Sequence, residues 1–89
     1  MNATQRLLLR HAILLQLAAA SPASLPPATL LHGAALAGFR INEQTLQAEL
    51  AYLAGKNLVQ ITPSALSQGL SRAHLTAAGR DYLEAENLA

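Results

Sequence analysis

The sequence predicts a mainly helical single domain with a small β-hairpin, in the order helix, helix, short strand, helix, strand, strand, helix, and two observations carry that prediction. With 52% hydrophobic residues but only one Phe, two Tyr and no Trp, the core has to be built from leucine and alanine, both strong helix formers. The β-branched residues Val59, Ile61 and Thr62 fall in the first of two short runs, 58–62 and 70–75, which a Pro-, Ser- and Gly-bearing stretch separates. The chain of 89 residues has the size of one domain and no room for a second, so residues 1–89 are read as one unit.

Each element follows from local signals. Asn2, followed three residues later by Gln5, fits a capping box and opens a first helix running to about Ala20, where Ser21 and Pro22 stop it. Residues 21–27 hold three prolines and two serines and read as a turn. Pro26 or Pro27 suits the first position of a second helix, which extends to about Ala37 and ends at Gly38. Phe39, Arg40 and Ile41 form a brief extended bridge, the expected first strand. Asn42 caps a third helix to about Lys56, whose Leu46, Leu50 and Leu53 recur at the spacing of one buried stripe; Gly55 and Asn57 mark its end. The hairpin has an expected seven-residue tip from Pro63 to Gly69. Thr76 then caps a last short helix with Tyr82 and Leu83 turned inward.

Composition excludes several kinds of chemistry. Without cysteine there is no disulfide framework, thiolate metal site or Cys nucleophile. His11, His32 and His74 lie on three separate elements with no carboxylate at ligand spacing, so neither a metal nor any other cofactor is expected. The serines sit in turns or the hairpin and in no nucleophile-elbow motif, so the chain does not read as an enzyme. Arg6 and Arg10 before the apolar run 12–20 resemble a secretory leader. Arg10, His11 and Gln16 interrupt that run, however, and its removal would strip the domain of its first helix. No stretch approaches the ~20 apolar residues of a membrane span, and a cytoplasmic protein is expected.

Two stretches carry a resemblance to a known fold family. Residues 46–59, LQAELAYLAGKNLV, look like the recognition helix running into the wing of many bacterial regulators. Residues 75–83, LTAAGRDYL, are similar to the Leu-Thr-x-x-Gly-x-x-x-Leu pattern with which such domains leave the wing and enter a final helix. The chain thus resembles the winged helix-turn-helix family, and more narrowly the small winged-helix proteins of Mu-like phages and prophages. The resemblance implies a DNA-binding transcriptional regulator, with the third helix in the major groove and the hairpin tip on backbone or minor groove.

The residues support that implication in part. With Leu46, Leu50 and Leu53 inward, Gln44, Thr45, Ala48 and Tyr52 turn outward, flanked by Glu49 and Lys56, with Glu43 and Gln47 nearer the edges. Gln44 and Gln47 suit adenine, Thr45 a phosphate or thymine methyl, and Tyr52 a base, a sugar or a protein surface. Asn42, Gln44, Thr45, Gln47, Tyr52, Lys56 and Arg72 are therefore the expected DNA contacts, with Lys56 and Arg72 holding phosphates. Against this, the net charge is only +1, Glu43 and Glu49 face the phosphates, and the wing tip has no basic residue. Arg6 and Arg10, one turn apart, can hold a phosphate, although a solvated helix face is the commoner reason for such a pair. The first helix is apolar nearly all round. Its Leu9, Ile13 and Leu17 stripe is the expected interface of a homodimer, the alternative being burial within the domain. The rival functional reading is a winged helix that binds a protein instead of DNA.

Overall fold

The computed structural model describes residues 1–64, 66 and 71–88. Helix α1 (Ala3–Ala20) begins with the expected capping box: the Asn2 carbonyl side chain accepts from the Gln5 amide at 2.8 Å, and Gln5 Oε1 accepts from the Asn2 amide at 3.0 Å. Helix α2 (Pro27–Leu36) starts on a proline whose missing N–H costs nothing there. It closes through Gly38, at φ 97°, so that the Gly38 and Phe39 amides donate to the Ala35 and Ala34 carbonyls. Helix α3 (Glu43–Gly55) is capped by Asn42, which accepts from the Thr45 amide at 2.7 Å.

The wing is an antiparallel pair, β1 (Val59–Thr62) and β2 (Arg72–Leu75), in the register Val59 to Leu75 and Thr62 to Arg72. Leu70, the expected start of the second strand, lies outside the described residues, as do 65 and 67–69 of the expected tip. Helix α4 (Ala77–Ala85) is capped by Thr76, which accepts from the Gly79 amide and donates to the Asn57 carbonyl, pinning the start of α4 to the end of α3.

The short strand is not where the sequence places it. Residues 39–41 form no sheet pair among the described residues, and the Phe39 amide is used to finish α2. The third strand position is Leu25, in the segment read as a turn: it exchanges two backbone hydrogen bonds with Ala73, at 2.8 and 3.0 Å, on the free edge of β2. The strand thus precedes α2.

The core lies between α1, α2, α3 and the inner face of the wing. It comprises Leu9, Ile13, Leu14, Leu17, Leu30, Ala34, Leu46, Leu50, Leu53, Val59, Ala73, Leu75 and Leu83, and Phe39, Ile41 and Leu58 are packed against it. Leu9, Ile13 and Leu17 are fully buried within this single chain, which overturns their expected place in a dimer interface: no surface of theirs is left for a second copy. The exposed large apolar residues of α1 are instead Leu7, Leu8 and Leu15. No helix among the described residues is long and apolar enough to cross a membrane.

Candidate nucleic-acid interface

The leucine stripe of α3 faces the core, which leaves Glu43, Gln44, Ala48, Ala51 and Tyr52 exposed and Thr45 half-buried. Asn42 is exposed at the helix start; its carbonyl oxygen is used in capping, while its amide N–H groups point to no protein partner among the described residues. Gln47 departs from expectation. It is half-buried, and its Nε2 is shielded from solvent without a hydrogen-bond partner in the structure, so it is poorly placed to read a base edge.

Glu49 departs further. Its residue is 8% exposed, because position 49 lies one turn from both Leu46 and Leu53 and faces α1. There its carboxylate accepts from Arg10 Nε at 2.5 Å, with Arg6 Nε at 3.9 Å. The acidic group expected to repel phosphates is therefore turned inward and neutralised, and the two arginines of α1 are gathered beside α3 instead of lying on a plain solvated face. The Arg10 guanidinium also lies 3.8 Å from the centre of the Tyr52 ring, with Lys56 Nζ at 5.8 Å from the same centre. Tyr52 is consequently exposed but oriented toward the α1 flank, with two cations near its ring.

An open polar groove runs between the N-terminal ends of α1 and α3, lined by Arg6, Arg10, Arg40, Asn42, Thr45 and Tyr52 among others. The exposed backbone amides at the start of α3 add a partial positive charge to it. Arg40 is the residue the sequence reading missed: it stands in the connection between helices, and only its position two residues before the Asn42 cap hints that it flanks the helix start. Of the six Lys and Arg residues, Arg6, Arg10, Arg40 and Lys56 flank α3, which itself carries Glu43 in its first turn and the paired Glu49, while Asp81 and Glu84 are exposed on α4 beside Arg80, with Glu86 at its end. A near-neutral total thus conceals a modest excess of positive charge beside α3.

On the wing, Arg72 is already engaged within the domain. Arg72 is exposed, but its guanidinium donates to the Ser24 hydroxyl at 2.9 Å and the Ser24 carbonyl at 2.8 Å, tying the root of β2 to the segment before α2. On the other side of Tyr52, a cavity of about 310 Å³ opens between α1, α3 and α4. Leu7, Leu53 and Leu58 line it, with Tyr82, Arg10 and Lys56 at its margins. Tyr82 shares a 2.9 Å hydrogen bond with His11 Nε2. Burial first, and then the Glu86 carboxylate, holds the Tyr82 hydroxyl above its ordinary pKa of 10.0.

Three helices, a strand position between the first and second, and a two-stranded wing after the third define a winged helix-turn-helix domain. A solved structure shares this arrangement: a transcriptional regulator of the MarR family from Silicibacter pomeroyi, with a TM-score of 0.66 and 29% sequence identity. The similarity covers 85% of this chain and 46% of that one, so this chain spans about half the length of the neighbour. No protein-family model matches the chain, and no curated protein matches it.

Proposed function

We propose that the domain binds double-stranded DNA as part of a transcriptional regulator, with α3 in the major groove. The observation that carries the reading is the gathering of Arg6, Arg10 and Arg40 at the start of α3, with Lys56 at its other end. With Arg10 paired to Glu49, it is Arg6, Arg40, Lys56 and the Asn42 amide that suit phosphate oxygens on the two sides of a groove, and phosphate contacts supply most of a protein's affinity for DNA. The outward face offers few readers. Gln44 pairs with adenine, Thr45 reaches a phosphate or a base, and Ala48 and Ala51 rest on thymine methyls, so the domain binds with modest sequence preference. Arg72 joins as a phosphate contact by exchanging its Ser24 bonds. The MarR-family neighbour, a transcriptional regulator by name, favours the same function. The likeness in sequence to proteins of Mu-like phages suggests a phage or prophage origin, and a DNA partner suggests a cytoplasmic protein.

The protein-binding alternative draws on a different observation, the apolar cavity beside Tyr52, a residue 44% exposed. Salt separates the two readings. If Arg6, Arg40, Lys56 and Arg72 neutralise four phosphates, the affinity for a random-sequence duplex falls roughly 10²-fold between about 50 and 200 mM salt. Fluorescence anisotropy measures this directly. Replacing Arg40 and Lys56 together with alanine then lowers the slope by about two. A folded chain that forms no complex with duplex at low salt refutes the DNA reading.

A further inference from the structure

Two arginines of α1 approach the Glu49 carboxylate, and it holds them unequally. Arg10 Nε donates to Glu49 Oε2 at 2.5 Å, and the Arg10 side chain is 21% exposed. Arg6 Nε lies 3.9 Å from the other oxygen on a side chain that is 50% exposed, so it stays in solvent and can turn to a second anion. The Arg10 guanidinium, 3.8 Å from the centre of the Tyr52 ring, stands at the margin of the open groove that Arg6, Arg40, Asn42 and Thr45 also line. Arg10 is thus at the surface proposed for DNA, with its charge already answered by a carboxylate.

The carboxylate wins that arginine against a phosphate. The Glu49 side chain is 11% exposed, whereas a DNA phosphate meets the groove from solvent, with its counterions. For Arg10 to turn to the phosphate, Glu49 must be left in a largely dry position with Arg6 as its one remaining ion-pair partner among the described residues. Removing one partner from a buried ion pair is strongly destabilising, while a single phosphate contact is worth on the order of tenfold in affinity at about 50 mM salt.

We propose that Glu49 is an internal substitute for a phosphate: by binding Arg10 it keeps that arginine out of the DNA interface and holds the domain's affinity below what its cations allow. The inference rests on the DNA-binding reading above and adds to it a positioning residue that touches no DNA and acts through Arg10. In Glu49→Gln the guanidinium loses its anion but keeps the Tyr52 ring, so it remains at the groove and pairs with a phosphate.

Each phosphate neutralised on a duplex adds about 0.9 to the slope of log affinity against log salt. Anisotropy with a random-sequence duplex is therefore expected to give Glu49→Gln a slope steeper than the parent's by about 0.9, with an affinity on the order of tenfold higher at about 50 mM salt. Asp81→Asn removes an exposed acid from α4 and changes the net charge equally, and its slope stays within about 0.3 of the parent's. Circular dichroism at the binding temperature verifies that both variants are folded. A second measurement needs no folded variant at position 49: in NMR spectra of the parent, the Arg10 Nε–H signal, identified by its loss in Arg10→Met, stays in place as duplex is added. An unchanged slope in Glu49→Gln, an equal gain in Asp81→Asn, or an Arg10 signal that moves with duplex overturns the inference, while the parent's own binding keeps the DNA reading standing. If neither the parent nor Glu49→Gln forms a complex at low salt, both fall.

Discussion

Replacing Arg10 with methionine keeps most of the aliphatic stem but removes the charge that joins α1 to α3. Glu49, whose side chain is 11% exposed, is then left with Arg6 alone, at 3.9 Å and with a side chain 50% exposed. Breaking a fully buried pair by removing one partner costs about 3–5 kcal/mol. Here the remaining exposure and the approach of Arg6 recover part of that, so about 2 kcal/mol is expected, and loss of the guanidinium from the Tyr52 ring adds ~0.5–1 kcal/mol. Together the loss is about 2–3 kcal/mol, or a fall in Tm of roughly 8–20 °C for a domain of this size. Glu49→Gln costs less, about 1 kcal/mol, because Arg10 keeps Tyr52 and some water. The double variant closes a thermodynamic cycle, and urea unfolding at constant m reads each corner. A coupling of ~1 kcal/mol or more is expected. An Arg10→Met variant within about 0.5 kcal/mol of the parent, or a coupling of zero, refutes the claim that the pair helps join α1 to α3.

Three further outcomes follow from the packing. Gly79→Ala gains up to about 1 kcal/mol of helix propensity, but its Cβ would stand 2.1 Å from the Leu58 carbonyl oxygen and 2.6 Å from Leu75 Cδ1. Because the nearest atom is backbone, a net loss of about 1–3 kcal/mol is expected in thermal melts, and an equal or higher Tm contradicts the close packing of α4 on the wing. Gln47→Met removes the shielded amide without an observed partner and leaves stability unchanged or raised by ~0.5–1 kcal/mol. Duplex affinity stays within about twofold, and a larger loss by anisotropy returns Gln47 to the interface. Tyr82 has its folded pKa raised above 10.0, so the unfolded chain releases the phenolic proton first as the pH climbs. The stability this group contributes is complete below pH 10.0 and is lost as the pH rises from there through the folded pKa. Denaturant midpoints for Tyr82→Phe fall less steeply than those of the parent in that range; parallel pH profiles contradict the burial of the hydroxyl.

Much of the architecture is written in interactions between residues a few positions apart. The Asn2–Gln5 box, the Asn42 and Thr76 caps, the proline at the start of α2 and the stripe of Leu46, Leu50 and Leu53 all act within one or two helical turns, and all are legible in the chain itself. The Leu-Thr-x-x-Gly pattern likewise foretells the glycine that α4 needs where it meets the Leu58 carbonyl. Only the tertiary structure decided the rest, because it depends on partners far away in sequence. What makes Leu25, rather than residues 39–41, the strand position is Ala73, 48 positions later. On α1 both stripes are apolar, so its own periodicity cannot say that Leu9, Ile13 and Leu17 face the core while Leu8 and Leu15 face water. Glu49 reads as a surface acid until Arg10 on another helix receives it, and Arg40 reads as a linker residue until α1 and α3 close a groove around it. A helix specifies its caps and its periodicity alone, but the sign and direction of each face are set by what packs against it.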